Sequence, residues 1–432
     1  MAPDGTDMRA DFLIRGAREI VTTMGASDAP LAGDRMREVF VFPRGFVAAR
    51  GGTIVAIGSE TDLAHIELAS DAQVIDAEGK VVIPGLVDPH THLLFMGGRE
   101  DEFFRRIEGE SYMAIAGKGG GIKRTVSATR GASHKELCDR GFAHLALMLR
   151  QGTTTVEIKS GYGLSIEGEM AMLMAIDQLA RQTSMGVVAT FLGAHAVPPE
   201  YKGRADEFVD LVIDQMLPAV QKSRLATFCD VFCENGAFTV DQSRKILKAA
   251  ADLGFSLKVH GDELTHSGGC RLAAELRATS VDHCNFASDA DLEAMRAAGT
   301  IAVALPGTPF FLLAPRYANG RAILEAGVPL ALATDYNPTS SISSMTFVMF
   351  LACLNMKLAP EEALTAATIN AAHAIGLASK VGSLEVGKSA DALILNVEDF
   401  RHIPFYVGRD IVDLVVKSGH AVSGRRVGLA AT

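Results

Sequence analysis

The chain has 432 residues, of which 48% are hydrophobic and 21% are charged. This length allows two or three small domains or one large barrel with an appendage, and the apolar fraction excludes wholesale disorder. The formal net charge of −10 argues against binding to nucleic acid or to an anionic membrane surface. The six cysteines are too few for a disulfide scaffold and predict free thiols in a reducing compartment.

The sequence shows no targeting or membrane-spanning segment. Its first residues lack the apolar core of a signal peptide, and no apolar run reaches the roughly 18 residues that a membrane span needs. The most apolar candidate, residues 302–314, is interrupted by Pro306, Gly307 and Pro309. We therefore expect a soluble, cytoplasmic protein with no membrane partner.

Both ends of the chain are predicted to be rich in β-strands. Residues 11–22 and 39–58 alternate apolar and polar positions, and Gly51-Gly52 gives the second stretch a hairpin turn. Residues 382–396 and 410–422 show a similar pattern near the other end. The two ends together predict a small β domain, formed by residues 1–83 plus 384–432.

Between these ends, short apolar segments alternate with amphipathic helices. Eight strands are predicted, at residues 85–92, 153–160, 187–194, 227–234, 256–263, 278–284, 300–306 and 329–335. Residues 360–377 are predicted to form one further helix after the last strand. About eight βα units predict the α/β class, with a (β/α)8 TIM-like barrel over residues 84–383 rather than an open doubly wound sheet.

Reactive side chains fall at the carboxyl ends of these strands, where the active sites of such barrels lie. His90 and His92 end the first strand, and the alternation of a strand directs both imidazoles to one face. His260, His283 and Asp335 end the fifth, sixth and eighth strands. Three of these imidazoles together with the carboxylate suit a divalent ion such as Zn²⁺, and Fe or Mn would also fit.

Several motifs resemble the amidohydrolase superfamily, whose members are metal-dependent hydrolases with a barrel and a small β domain built from both chain ends. The shared segments are VVIPGLVDPHTH (81–92), HGDE (260–263), ATD (333–335) and GSLEVGKSADALIL (382–395). More specific motifs indicate one group within the superfamily: GGREDEF (97–103), KSGYGL (159–164) and GAHAVPPEY (193–201). The resemblance covers residues from about 80 to 390.

The resemblance implies one metal ion, Zn or Fe, held by four residues: His90, His92, His260 and Asp335. Superfamily members with two metals carry a carboxylated lysine at the end of the fourth strand. The predicted fourth strand here, residues 227–234, has no lysine, which agrees with a single ion. Lys159 lies on the second strand and is interpreted as a structural or salt-bridged residue.

The resemblance also implies that the reaction is the hydrolysis of a cyclic amide by water that the metal activates, with no organic cofactor. Such a reaction needs a base, a donor to the carbonyl oxygen and an acid for the departing nitrogen. Asp335 and His283 are the candidates for proton handling and oxyanion stabilisation, and Glu263 is the candidate for proton transfer to the ring nitrogen.

The implied substrate is a small molecule with a carboxylate, and Arg99 offers that carboxylate a bidentate guanidinium. The other residues implied to bind the substrate are Tyr112, Tyr162, His195, Glu263, Asn337, Thr339 and Ser340. Thr339 stands where the family usually has Gly, which predicts a different loop next to the substrate. Asn235 and the stretch CNFAS (284–288) also depart from the family pattern.

Two alternatives remain open. An aminohydrolase of the same superfamily would deaminate a purine, pterin or pyrimidine with the same metal residues, but would not need Arg99 for a carboxylate. A catalytically inactive barrel that serves in assembly would be expected to lack metal ligands, and none is missing. The resemblance further implies a homodimer.

Overall fold

The computed structural model describes residues 8–110, 115 and 120–424, and in this part of the chain the strands form two eight-stranded sheets. In chain order the strands are β1 (Met8–Thr22), β2 (Phe40–Arg50), β3 (Thr53–Ser59), β4 (Ile66–Asp76), β5 (Val81–Pro84), β6 (Leu86–Asp88), β7 (Thr153–Lys159), β8 (Gly186–Ala194), β9 (Phe228–Cys233), β10 (Ser256–Gly261), β11 (Ser280–His283), β12 (Ile301–Ala304), β13 (Leu330–Leu332), β14 (Ala392–Leu395), β15 (Val412–Lys417) and β16 (His420–Gly424).

Helices cover the outside of the second sheet. The α-helices among the described residues are α1 (Glu100–Ile107), α2 (Ile122–Gly131), α3 (His134–Arg150), α4 (Ile166–Gln182), α5 (Ala205–Leu211), α6 (Leu217–Ser223), α7 (Val240–Asp252), α8 (Gly269–Glu275), α9 (Asp289–Ala298), α10 (Gly307–Leu312), α11 (Gly320–Glu325), α12 (Met345–Asn355), α13 (Pro360–Ala366) and α14 (Ile369–Ala374). None of these helices is long and apolar enough to cross a membrane.

The first sheet joins the two ends of the chain. Its order is β16-β15-β14-β5-β1-β2-β3, with β4 paired to β1. The strand β5 pairs parallel with β1 and antiparallel with β14, so it connects strands from the start and from the end of the sequence. Gly51 and Gly52, with φ of 54° and 81°, form the tight turn between β2 and β3, which confirms the predicted hairpin.

The second sheet is the predicted parallel barrel, with the strands β6 to β13 in consecutive order. The strands β6 and β13 have three residues each and are shorter than predicted. The segments that directly follow β6 and β13 still lie side by side. Asp335 N–H donates to His90 O at 3.2 Å, and His92 N–H donates to Tyr336 O at 3.0 Å. The first and last strands therefore meet at the level of the predicted metal ligands, and the predicted fold class is confirmed.

The prediction of one helix over residues 360–377 is wrong in one respect, because the structure has two helices there, α13 and α14. The interruption falls at Thr368, whose φ and ψ are −130° and −96°. The Thr368 hydroxyl donates to Leu364 O at 2.6 Å. A Thr hydroxyl that bonds back to the carbonyl of the preceding turn competes with the helical ladder, which explains the break.

Candidate metal centre and active site

Four buried side chains converge at the carboxyl end of the barrel. His92 Nε2 lies 3.2 Å from both His90 Nε2 and His260 Nε2. Asp335 Oδ1 lies 3.6 Å from His90 Nε2 and from His92 Nε2. The structure thus brings together the four residues that the sequence predicts as metal ligands, and all four are buried.

Two carboxylates behind this cluster orient the imidazoles. His90 Nδ1 lies 2.6 Å from Asp282 Oδ2, and His260 Nδ1 lies 2.9 Å from Asp230 Oδ2. The Asp282 carboxylate accepts, so Nδ1 of His90 carries the proton and its Nε2 presents the lone pair to the cluster. Burial lowers the pKa of the His90 imidazole well below its usual value, and the positive charge of Lys159 lowers it further. Both effects favour the neutral form of His90.

This donor set fits a metal ion. Three imidazole nitrogens converge here with neighbouring pairs 3.2 Å apart, and imidazole nitrogens with one carboxylate oxygen are typical Zn²⁺ ligands. His90, His92 and Asp335 each place a ligand atom within 4.8 Å of the others, and so do His90, His260 and His283. His283 therefore borders the same cluster from the sixth strand.

Glu263 and His283 form a pair beside the cluster, with Glu263 Oε2 3.6 Å from His283 Nε2. Burial, and then the charges of Asp335 and Glu234, raises the pKa of the Glu263 carboxyl well above its ordinary value. Burial lowers the pKa of His283, so its imidazole is held neutral. The raised pKa extends the acid form of Glu263 to higher pH, and only that form can donate the proton that its predicted role requires.

The backbone at the ends of these strands is strained. Asp262, His283 and Asp335 have φ of 53°, 81° and 51°, which is the left-handed region that non-glycine residues rarely adopt. Such conformations cost about 1–3 kcal/mol each and are typical of functional sites, where neighbouring contacts hold them in place.

A layer of buried charge lies under the histidines. Lys159 Nζ is 2.7 Å from Glu157 Oε1, 2.8 Å from Asp230 Oδ2 and 3.5 Å from Asp282 Oδ2, and all four side chains are fully buried. Burial alone would lower the pKa of Lys159, but the three carboxylates raise it above its usual value. The interpretation of Lys159 as a salt-bridged residue is therefore confirmed.

Asp230 and Asp282 were not singled out in the sequence. The signal that could have identified them is a lone carboxylate inside an otherwise apolar strand, as in FCDVFC (228–233) and SVDH (280–283). A charge at such a position is rarely buried without a partner.

Two aromatic side chains flank the cluster. The His195 ring stacks on the His92 ring, with centroids 4.8 Å apart, and Tyr162 lies 5.3 Å from His195. Burial, and then the charge of His260, lowers the pKa of His195 to about 3. His195 Nδ1–H donates to Gly161 O at 3.0 Å, which leaves the Nε2 lone pair as an acceptor for a ligand.

Arg99 is buried and fixed by Glu102. Arg99 Nε and Nη2 donate to Glu102 Oε2 at 2.9 and 2.8 Å, and Glu102 Oε1 accepts from Gly121 N–H at 2.8 Å. The guanidinium is thus held in one orientation at the start of α1. Tyr112, the other predicted contact in this stretch, lies outside the described residues.

The loop after β13 is built around Asn337. Asn337 Oδ1 accepts from Thr339 N–H at 2.7 Å and from Ser340 N–H at 3.0 Å, and its Nδ2 donates to Asp335 O at 2.7 Å. Thr339 does not have a positive φ, so the loop accommodates Thr without backbone strain. A difference between this loop and a family loop with Gly at this position therefore does not come from a backbone conformation that only glycine adopts easily.

Comparison with known proteins agrees with this geometry. The sequence model of the amidohydrolase family matches residues 81–422. A triazine hydrolase from Arthobacter aurescens superposes with a TM-score of 0.74 at 18% identity, covering 95% of this chain and 94% of that one, which shows a shared fold. The chain belongs to the amidohydrolase family, and it is a metal-dependent hydrolase.

Full-length relatives define its place in that family. The chain is 51% identical over 415 residues to an imidazolonepropionase from Symbiobacterium thermophilum, covering 95% of this chain and 97% of the relative. It is 47% identical over 416 residues to an imidazolonepropionase from Alkaliphilus metalliredigens, covering 96% and 98%. Within the amidohydrolases, the chain belongs to the same family as these imidazolonepropionases.

Proposed function

We propose that the chain hydrolyses the cyclic amide of 4-imidazolone-5-propanoate to N-formimino-L-glutamate, a step of histidine degradation. The observation that carries this proposal is the convergence of His90, His92, His260 and Asp335 on one point. The names of the full-length relatives support the choice of substrate. No observation on the site favours the alternatives of a purine, pterin or pyrimidine deaminase or of an inactive assembly protein.

We propose that His90, His92, His260 and Asp335 hold a single ion, Zn or Fe. Such an ion polarises a carbonyl and makes water acidic enough to attack it at neutral pH. A single ion is supported by the absence of lysine from β9. The buried Lys159 is surrounded by three carboxylates, so it is not available as a carboxylated ligand.

Three side chains are proposed to move protons or to stabilise charge during ring opening. Water adds to the carbonyl carbon, the bond from that carbon to the ring nitrogen breaks, and the nitrogen takes up a proton. Asp335 receives the proton of the attacking water, and His283 stabilises the negative charge on the carbonyl oxygen. Glu263, whose acid form burial favours by raising its pKa, delivers the proton to the nitrogen.

The propanoate tail of the substrate requires a cation, and Arg99 is proposed to bind it. The remaining proposed contacts are Tyr112, Tyr162, His195, Glu263, Asn337, Thr339 and Ser340. His195 supports this assignment because its Nε2 lone pair faces away from Gly161 and can accept from a ring N–H of the substrate. A neutral purine or pyrimidine would not use the charge of Arg99.

We also propose a division into a small β domain, residues 1–83 plus 384–432, and a barrel, residues 84–383. Only Gly85 separates β5 of the first sheet from β6 of the barrel, which supports a boundary there. A cytoplasmic homodimer without nucleic-acid or membrane partners completes the proposal.

The experiment is a turnover assay on the protein loaded with Zn or Fe. Freshly made imidazolonepropionate should disappear with formation of N-formimino-L-glutamate, while guanine, adenosine and cytosine should release no ammonia. His92→Ala should abolish turnover, whereas His134→Ala, on an exposed helical residue, should not. Ammonia release would establish the deaminase instead, and no turnover of any substrate after metal loading would favour the inactive barrel.

A further inference from the structure

A buried carboxylate that the sequence did not single out holds the loop after Glu263. Glu234 directly follows β9 and is 2% exposed. Its Oε2 accepts from Leu264 N–H at 2.9 Å and from Thr265 N–H at 3.3 Å, and its Oε1 accepts from the Thr265 hydroxyl at 2.5 Å. One carboxylate therefore binds three donors of the two residues that come directly after Glu263.

These contacts matter because the segment between β10 and α8 has no helix or strand of its own. The segment leaves the barrel at Asp262, whose φ is 53°, and Leu264 is exposed on its outer side. The buried Asp262 holds the two ends of the segment together, because its carboxylate accepts from Gly268 N–H at 2.8 Å and from Cys270 N–H at 2.7 Å. Glu234 holds the middle of the segment, and hydrogen bonds to a charged acceptor are stronger than those between neutral groups.

Two asparagines complete the attachment of the loop. Asn285, on the sixth-strand side, donates from Nδ2 to Glu263 O at 3.1 Å. Asn235 donates from Nδ2 to the Thr265 hydroxyl oxygen at 2.8 Å. Both lie in stretches that depart from the family pattern, so two of the three departures, all but Thr339, fall on the attachment of this loop.

We infer that Glu234 is a positioning residue for the reaction. It fixes the backbone after Glu263 and so keeps the Glu263 carboxyl beside His283 Nε2, 3.6 Å away. This inference rests on the proposed function, because it takes Glu263 as the group that delivers the proton. A displacement of about 1 Å in a reacting group can cost on the order of 100-fold in rate.

The chain offers a matched comparison on another loop of the same site. Glu169 is 1% exposed and accepts from the N–H groups of Gly161, Gly163 and Leu164 at 2.9, 2.9 and 2.8 Å. This loop carries Tyr162, a proposed substrate contact. Glu169 and Glu234 thus share one kind of contact, a buried carboxylate on backbone amides, but they serve loops with different proposed roles.

The test compares Glu234→Gln with Glu169→Gln in steady-state kinetics on imidazolonepropionate. A glutamine keeps the size of the side chain but removes the charge and replaces one of the two acceptor oxygens by an NH2 group, which faces a backbone N–H in either orientation. Glu234→Gln should lower kcat at least about tenfold with KM changed less than about threefold and metal content unchanged. Glu169→Gln should act mainly on KM.

Thr265→Val is the milder variant for the case that Glu234→Gln does not fold. It removes the hydroxyl that donates to Glu234 and accepts from Asn235, keeps both backbone amides on Glu234, and should lower kcat about two- to fivefold. Hydrogen exchange at the Leu264 and Thr265 amides gives a second readout that needs neither metal nor substrate. Exchange at both amides should become at least about tenfold faster in Glu234→Gln.

The positioning role is overturned if Glu234→Gln leaves kcat within about twofold, or if both glutamine variants lower kcat equally with KM unchanged. Unchanged exchange at Leu264 and Thr265 overturns it as well. An unsubstituted, metal-loaded protein that does not hydrolyse imidazolonepropionate would instead refute the proposed function, and the exchange experiment separates these two failures.

Discussion

Replacing Asp282 by Asn tests how the metal cluster is oriented. Asp282 Oδ2 lies 2.6 Å from His90 Nδ1, and its Oδ1 accepts from the Ser280 hydroxyl at 2.7 Å. Asn keeps the shape but removes the charge, so the bond to His90 becomes a neutral one. We expect Asp282→Asn to weaken metal binding by about 10- to 100-fold, as is usual for groups that orient a ligand.

The size of this effect follows from two contributions. A hydrogen bond to a charged group stabilises by about 1.5–3 kcal/mol and a neutral one by about 1 kcal/mol, which gives a loss of about 0.5–2 kcal/mol. Lys159 and Lys258, 3.5 and 3.7 Å from Oδ2, also lose a counter-charge. Their positive charge then opposes the metal ion more strongly. At about 1.4 kcal/mol per tenfold, the two contributions account for the expected range.

The assay is competition between the metal-free protein and a chromophoric chelator for Zn²⁺. Ser280→Ala is the control, because it removes a donor from the same carboxylate without touching His90, and it should change the affinity less than about threefold. If Asp282→Asn binds Zn²⁺ within about threefold of the unsubstituted protein, Asp282 does not orient His90 and the reasoning is wrong.

Three other substitutions probe the site and the fold. Glu263→Gln should lower kcat about 10²- to 10⁴-fold with metal content unchanged; a variant with more than about a tenth of the activity would contradict its role. Burial raises the pKa of the Glu263 carboxyl above its ordinary value, so its acid form persists to a higher pH than that of a free carboxyl. The kcat should therefore fall as the pH rises through that pKa, and a kcat that increased there would contradict the assignment. Lys159→Met leaves Glu157 and Asp230 buried without their ammonium partner, so denaturant titration should show a loss of about 3–5 kcal/mol in unfolding free energy, and a loss below about 1 kcal/mol would contradict it. Thr339→Gly should cost about 0.5–1 kcal/mol through the greater freedom of the unfolded chain, since Thr339 does not have a positive φ; a gain in stability would contradict this.

Much of the fold could be predicted because apolar runs and helical periodicity are local signals. All eight barrel strands were predicted, and the hairpin at Gly51-Gly52 followed from its turn residues. The short extents of β6 and β13 were not predicted, because the chain leaves the ladder where it turns toward the site. The break at Thr368 was also missed, since a side-chain hydrogen bond within one turn leaves the apolar pattern intact.

The candidate site could be predicted only in part. Placement at strand ends identified His90, His92 and Asp335, because every strand of such a barrel delivers its last residues to the same face. Ligation by these residues stays a prediction. Asp282 and Glu234 were missed, because a carboxylate in the sequence does not reveal which residue of a neighbouring strand or loop it faces. Those contacts depend on the register between strands, which only the folded structure provides.

The most direct test is a crystal structure of the metal-loaded protein with data collected at the absorption edge of the bound metal. We expect one anomalous peak, about 2.0–2.3 Å from His90 Nε2, His92 Nε2, His260 Nε2 and Asp335 Oδ1. A peak held by His90, His260 and His283, with His92 and Asp335 beyond coordination distance, would contradict the proposed ligand set. The absence of any peak in this cluster would refute a metal-dependent hydrolase centred on it.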